Sequence, residues 1–189
     1  MEIENHPFEP FLPENARLLM LGTFPPSEKR WSMKFYYPNF INDMWRIFGI
    51  IFFDDKEHFV DGAHKTFRLD LLIPFLKERG IALFDTATRI RRTTGTASDK
   101  DLDIVEETDL HRMLRSLPEC RAIVTAGQLA TDVACRQFQI EGPKVGEYTE
   151  FTFDGRTICL YRMPSSSRAY PMKAERKADY YRRVMESLF

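Results

Sequence analysis

The chain reads as an α/β protein, a three-layer αβα sandwich around a central, mostly parallel, four-stranded sheet. Three observations predict it. Short apolar runs end at Gly or at a polar residue, as buried strands do. Segments with helical spacing of apolar residues alternate with those runs, which implies crossover connections and parallel pairing. One Asp154–Gly155 step between two β-rich runs marks a single antiparallel hairpin. With 189 residues and a hydrophobic share of 43%, the chain can bury a core of its own and is expected to form one domain, residues 1–189.

Ala16 to Gly22 (ARLLMLG) is the first buried strand, followed by a loop that Pro25 and Pro26 stiffen. Residues 39–52 place apolar groups at 40, 41, 44, 45, 47, 48 and 51, a helix beginning around Asn39. Thr66 to Arg79 is a second helix, kinked or restarted at Pro74 and capped by Gly80. Ile81 to Thr86 is the second strand, and residues 87–103 form a polar loop. Asp109 to Leu117 is a short helix that Pro118 stops. Arg121 to Ala126 is the third strand, Gly127 its exit, and Gln128 to Phe138 the helix behind it. The hairpin joins Phe151–Phe153 to Arg156–Met163, and Met172 to Leu188 is a charged helix.

The formal net charge of -1 excludes histone-like or tail-driven nucleic-acid binding, though not a local basic patch. Such a patch exists, because basic residues outnumber acidic ones in the segment 156–189. Aromatics make up 13% of the chain, a surplus that the core does not obviously require. Cys120, Cys135 and Cys159 are widely spaced with no CxxC pair, so neither a metal nor any other cofactor is expected. The N-terminus has no basic start or apolar run, and no stretch approaches the roughly 18 apolar residues that span a bilayer. A cytoplasmic monomer with no membrane partner is expected.

Ligands of such sheets gather at the carboxyl ends of the strands, which points to the loops after Gly22, Asp85, Ala126 and Met163. The first, GTFPPSEKRW, lacks the spacing of a phosphate-binding P-loop. Beyond it, Phe35–Tyr36–Tyr37 offers rings that either stack a base or fill the core. Asn39 and Asn42 stand where an N-cap is commonest, with a catalytic amide as the alternative. Arg89, Arg91 and Arg92 follow Asp85 and either contact phosphates or offset the acidic run from Asp99 to Asp109. Asp85 itself is read as a structural acceptor for backbone N–H groups. The last loop, MPSSSRAYP, sets Ser165, Ser166 and Ser167 on a rigid turn beside Arg168. None of His6, His58, His64 and His111 is read at a strand end, and no GxSxG elbow exists, so the sequence argues against a Ser–His hydrolase.

In order, these stretches resemble the uracil-DNA glycosylase superfamily, and most nearly its mismatch-specific (thymine/uracil) and hypoxanthine branches. LMLGTFPPS is similar to the first motif, which lines the base pocket. FYYPNFINDMW is similar to an aromatic-x-x-Pro-x-Asn-x-Phe-Trp segment, and GIALFDTATRIRRTTGTASDKDL to a G-I-x-L-W-D segment. RAIVTAGQLA resembles the strand and turn bearing a small residue then Gly, and RMPSSSRAY the Pro-Ser loop that enters the minor groove. Thr23 or Phe24 stands where the mismatch branch has Asn, Met163 where the main uracil enzymes have His, and Pro26 where Gly is usual. The first two departures resemble the hypoxanthine branch.

The resemblance implies a monofunctional DNA N-glycosylase that flips hypoxanthine or uracil from DNA and hydrolyses its glycosidic bond. It assigns base stacking to Tyr37, with Tyr36 or Phe24 as substitutes, and base-edge donation to the Gly22–Thr23–Phe24 backbone. Asn42 and Thr23 become the catalytic residues, and Ser165, Ser166, Ser167, Arg168 and Arg91 the DNA contacts. Two other readings stay open: a binding-only relative of the same fold, and a nucleoside hydrolase using the same pocket.

Overall fold

Four apolar runs lie side by side at the centre of the protein, a computed structural model that describes residues 1–93 and 101–189. In chain order the elements are β1 (Ile3–Asn5), β2 (Leu18–Gly22), α1 (Met44–Phe53), β3 (Val60–Asp61), β4 (Thr66–Phe67), α2 (Leu69–Arg79), β5 (Ile81–Asp85), β6 (Ala87–Arg92), β7 (Leu102–Glu107), α3 (Leu110–Arg115), β8 (Ala122–Ala126), α4 (Gln128–Phe138), β9 (Tyr148–Phe153), β10 (Arg156–Met163) and α5 (Ala174–Leu188). The central sheet runs β5-β2-β8-β10-β9. Its first four strands pair in parallel, and β9 closes the edge antiparallel to β10.

The central sheet therefore has five strands rather than four. The fifth comes from the hairpin, whose first arm starts at Tyr148 and pairs over its whole length with β10. Asp154 and Gly155 turn it with φ of 46° and 78°, the left-handed pair that an Asp-Gly hairpin supplies. β2, β5 and β8 are buried almost end to end, which requires cover on both faces. Helices supply it: α5 packs on α1 and against β10, α4 on α3 and against β8. Trp45, Tyr181, Phe48 and Phe59 are the largest fully buried side chains in that core.

Three boundaries differ from the sequence expectation. Helix α1 starts at Met44, because Asn39 Oδ1 accepts from Ile41 N (3.2 Å) and Asn42 Oδ1 from Met44 N (2.9 Å). Such local side-chain bonds hold residues 39–43 in turns that compete with helix. Thr66–Phe67 is a strand paired with Val60–Asp61, so α2 begins only at Leu69 and then runs through Pro74 to the left-handed Gly80. The expected polar loop 87–103 contains strand β6 and the start of β7, which form a second sheet with β1 in the order β1-β6-β7; residues 94–100 lie outside the described residues. Its buried residues on β6, Ala87 and Ile90, stand three apart because register shifts interrupt the pairing between them, so the strand lacks the two-residue alternation that would reveal it. No helix among the described residues is long and apolar enough to cross a membrane.

Candidate active site

Parallel register brings the strand ends together. Gly22 pairs with Asp85, Leu21 with Thr125, and Met163 with Ala126, so the following loops open on one edge of the sheet. A cavity of about 130 Å³ lies there. Drug-sized sites run to roughly 300–1,000 Å³, so this one suits a single flat ring better than a whole nucleotide. Gly22, Thr23, Phe24, Tyr36, Tyr37, Asn42, Asp85 and the three serines all line it.

The first wall is a loop whose carbonyls are committed elsewhere. Gly22 O accepts from Thr86 N (2.9 Å), Thr23 O from Ala87 N (3.2 Å), Pro25 O from Arg92 Nη2 (2.6 Å) and Pro26 O from Trp31 Nε1 (2.8 Å). Pro25 and Pro26 carry no N–H, so the backbone donors of the turn come from the residues before them. Arg92 reaches this loop from β6, held by Glu4 (2.9 Å) and lying over the Phe24 ring. It is a strut that fixes the loop from behind.

The second wall runs from Phe35 to Asp43. Tyr36 is buried, lines the cavity, and donates its hydroxyl to Glu9 O of the N-terminal segment (2.8 Å). Tyr37 adopts φ 52°, a left-handed conformation that costs a bulky residue strain and recurs at functional sites. Its ring meets Trp45 edge-on at 5.5 Å, and burial raises its phenol well above the usual tyrosine value. Half-buried at the cavity, Tyr37 presents an apolar ring in its neutral form. Arg46 ties this wall together by donating to Phe40 O (2.7 Å) and Asn42 O (3.0 Å), and Ser32 binds Pro38 O through both its amide and its hydroxyl. Burial lowers the Arg46 pKa from its ordinary value, and nearby Arg168 adds to that.

Asn42 is not the N-cap that the sequence offers: that position is Asp43, whose side chain makes no capping bond. Met44 N–H can be met only by an acceptor, so the Asn42 amide oxygen closes the turn ahead of the helix, on a side chain that lines the cavity.

The rim is the serine loop, pinned at three carbonyls. Tyr181 Oη donates to Pro164 O (2.9 Å), Asp43 N to Ser166 O (2.9 Å), and Lys177 Nζ to Ser167 O (2.9 Å). Lys177 also meets Asp43 Oδ2 at 3.0 Å, with side-chain exposures of 0% and 4%, and Arg168 Nε meets Asp43 Oδ1 at 3.0 Å. Ser166 is buried, whereas Ser167 and Arg168 face solvent. Arg168 borders a second, larger groove of about 910 Å³ on the far side of the loop, with Arg30 and Arg162. Arg91 lines neither cavity; it sits on β6 and meets Asp103 across the hairpin at 3.5 Å, as Arg89 meets Glu106. Both arginines thus have acidic neighbours on the same hairpin.

Asp85 accepts from His6 Nε2 at 2.7 Å rather than from backbone amides, so a histidine does reach a strand end. His6 lies in the N-terminal segment, far away in sequence, and no local pattern reveals it. Lys177 left a signal: it occupies the buried stripe of α5 with Ala174, Ala178, Tyr181, Val184 and Met185. A lysine on an apolar stripe requires a buried partner. Among the described residues no group of three or more His, Cys, Asp or Glu could hold a metal ion.

No protein-family model and no curated protein matches the chain. Among solved structures it is similar to the solution structure of a candidate uracil DNA glycosylase from Methanosarcina acetivorans, with a TM-score of 0.67 and 23% identity over 99% of each chain. At that identity the likeness shows a shared mixed α/β fold.

Proposed function

We propose that the protein is a DNA N-glycosylase that takes a deaminated base, hypoxanthine or uracil, into the cavity at the strand ends and hydrolyses its glycosidic bond. One observation carries this reading: Tyr37, Asn42, the Gly22–Phe24 turn and the serine loop, separated in sequence, line one cavity sized for a single ring. A base in a duplex must leave the stack to be reached, and a cavity of this volume accepts the base without its sugar and phosphate. Tyr37 supplies the stacking face. Asn42 NH₂ and the turn's amides supply donors for the negative charge that grows on the departing base as the sugar becomes oxocarbenium-like. The pinned serine loop borders the cavity and would occupy the space left by the flipped nucleotide, with Arg168 beside it for phosphate.

The test is incubation of the purified protein with duplexes containing uracil or hypoxanthine, followed by alkali. Strand nicking above a heat-killed control is expected for at least one of them, and none for either overturns the reading. A binding-only relative would show salt-sensitive binding without nicking, and a nucleoside hydrolase would cleave free inosine or uridine instead.

A further inference from the structure

The glycosylase reading uses Arg168 and leaves the rest of the basic excess of residues 156–189 without a task. Part of that excess is ordered on one face of α5, where Arg176, Tyr180 and Arg183 stand four and three residues apart. Both guanidinium groups lie over the Tyr180 ring, 5.4 and 5.5 Å from its centroid. Arg176 and Arg183 are exposed, and among the described residues neither makes an ion pair, although Asp179 lies within a turn of each. An arginine held over a ring keeps its N–H edges open, and that fork meets a phosphate with two parallel bonds. This face adjoins the cavity through the larger groove. Ser165 and Ser167 border both, and the groove continues past Arg168 to Arg162 and Val145. Gly146, next in the chain, donates its N–H to Arg162 O (2.7 Å) and lies so near Tyr180 that a Cβ there would come within 2.7 Å of the ring. Cationic side chains thus follow one another from the cavity rim, along the groove, onto α5.

We propose that Arg176 and Arg183, held over Tyr180, form a second phosphate-binding site that takes the DNA backbone flanking the damaged nucleotide once it has crossed the groove. The inference rests on the glycosylase reading for its partner and adds a footprint that reaches α5. The two arginines are seven residues apart, about 10 Å along the helix axis. They therefore meet separate phosphates of a strand whose charges recur about every 3.4 Å of duplex axis. Such contacts carry no sequence information and fix the register of the protein on the DNA. They lie outside the cavity and the groove, so they bind substrate and transition state equally and leave the chemical step alone.

The experiment measures binding of an undamaged duplex of about 30 base pairs, three helical turns, by fluorescence anisotropy over a range of salt. It compares wild type, Arg176→Gln/Arg183→Gln and a control, Arg115→Gln/Arg121→Gln. The control removes the same charge at the other edge of the sheet, where Arg121 precedes β8 and Leu114 O accepts from Arg156 at the start of β10. All four arginines are exposed, so every variant should fold, which its melting temperature checks. Each phosphate contact adds about 0.9 to the slope of log K against log salt, so the α5 variant should lose about 1.8 and the control nothing. On duplexes containing uracil or hypoxanthine, the α5 variant should raise KM with kcat unchanged. The rise should vanish when the damaged base lies near one end of the duplex and persist near the other, because α5 is on one side of the cavity. An unchanged slope, a slope reduced no more than in the control, a lower kcat with unchanged KM, or an equal rise at both ends overturns the proposal. Lost affinity for a polyglutamate peptide with an unchanged duplex slope overturns it too, and assigns the face to an acidic protein segment. If wild type nicks nothing, the glycosylase reading fails and the salt slopes alone decide this one.

Discussion

At the scale of single residues, Asn42 has two ends that substitution can separate. Its oxygen accepts from Met44 N, so the chemistry proposed for it must use the NH₂. Asn42→Asp keeps the turn-closing oxygen and removes the donor, whereas Asn42→Ala removes both. Asn42→Ala is expected to lower the melting temperature, since a lost intramolecular hydrogen bond costs about 1 kcal/mol, and Asn42→Asp to leave it near the wild-type value. On the proposed function both variants should lose glycosylase activity by about 100-fold or more, the usual effect of removing one placed donor. Calorimetry beside the nicking assay separates the effects, and full activity in Asn42→Asp would show that Asn42 only closes the turn. Gly22 is the second such residue. A Cβ 2.7 Å from Asp85 Oδ1 must displace the carboxylate, so Gly22→Ala is expected to abolish nicking while the sheet still forms, as circular dichroism would show.

At the scale of elements, the walls and rim of the cavity are loops and the rigidity of the rim is borrowed from helices. The serine loop owes its position to α1 and α5, through Asp43, Lys177 and Tyr181. Lys177→Met leaves buried Asp43 with Arg168 as its remaining cation, so the loss is expected to fall below the about 3–5 kcal/mol of a fully orphaned buried charge. Replacing both partners, as Asp43→Asn with Lys177→Met, should destabilise less than the sum of the single changes, and urea unfolding of the four proteins measures that coupling. This is also where sequence reading runs out. The strands β2, β5 and β8 were legible from local apolar runs, and α4 from periodicity, because burial on both faces or on one stripe writes itself into adjacent residues. β6 and β7 were not, since their arginines find carboxylates on β1 and across the hairpin, and such pairing leaves no mark on either strand alone. The cavity-lining residues could be named from motif order. The side chains that hold them, His6, Arg92 and Lys177, are joined to the site only by the fold.

At the scale of the whole molecule, the aromatic surplus divides into rings that fill the core and a few that meet the cavity. The buried phenols of both groups have a consequence at alkaline pH. Tyr36 and Tyr181 are buried, each donating its hydroxyl to a backbone carbonyl, and burial raises both phenols well above the ordinary value of 10.0. Burial likewise pushes the Cys120 thiol from 9.0 up to about 11. In each case the folded state keeps the proton that the unfolded chain releases. The contribution is therefore whole below about pH 9, falls as pH rises past the unfolded values, and is spent once pH exceeds the folded ones. Each buried tyrosine removes about 1.4 kcal/mol of stability per pH unit above pH 10. The melting temperature should accordingly be flat through neutral pH and drop steeply from about pH 10. Absorbance near 295 nm should show Tyr36 and Tyr181 ionising only as the protein unfolds, and Tyr181→Phe should remove one of these delayed groups. Because Tyr181 also holds Pro164 at the root of the serine loop, that variant should weaken duplex binding at neutral pH, where its ionisation plays no part. Unchanged binding with a shallower alkaline slope would assign Tyr181 to the core alone.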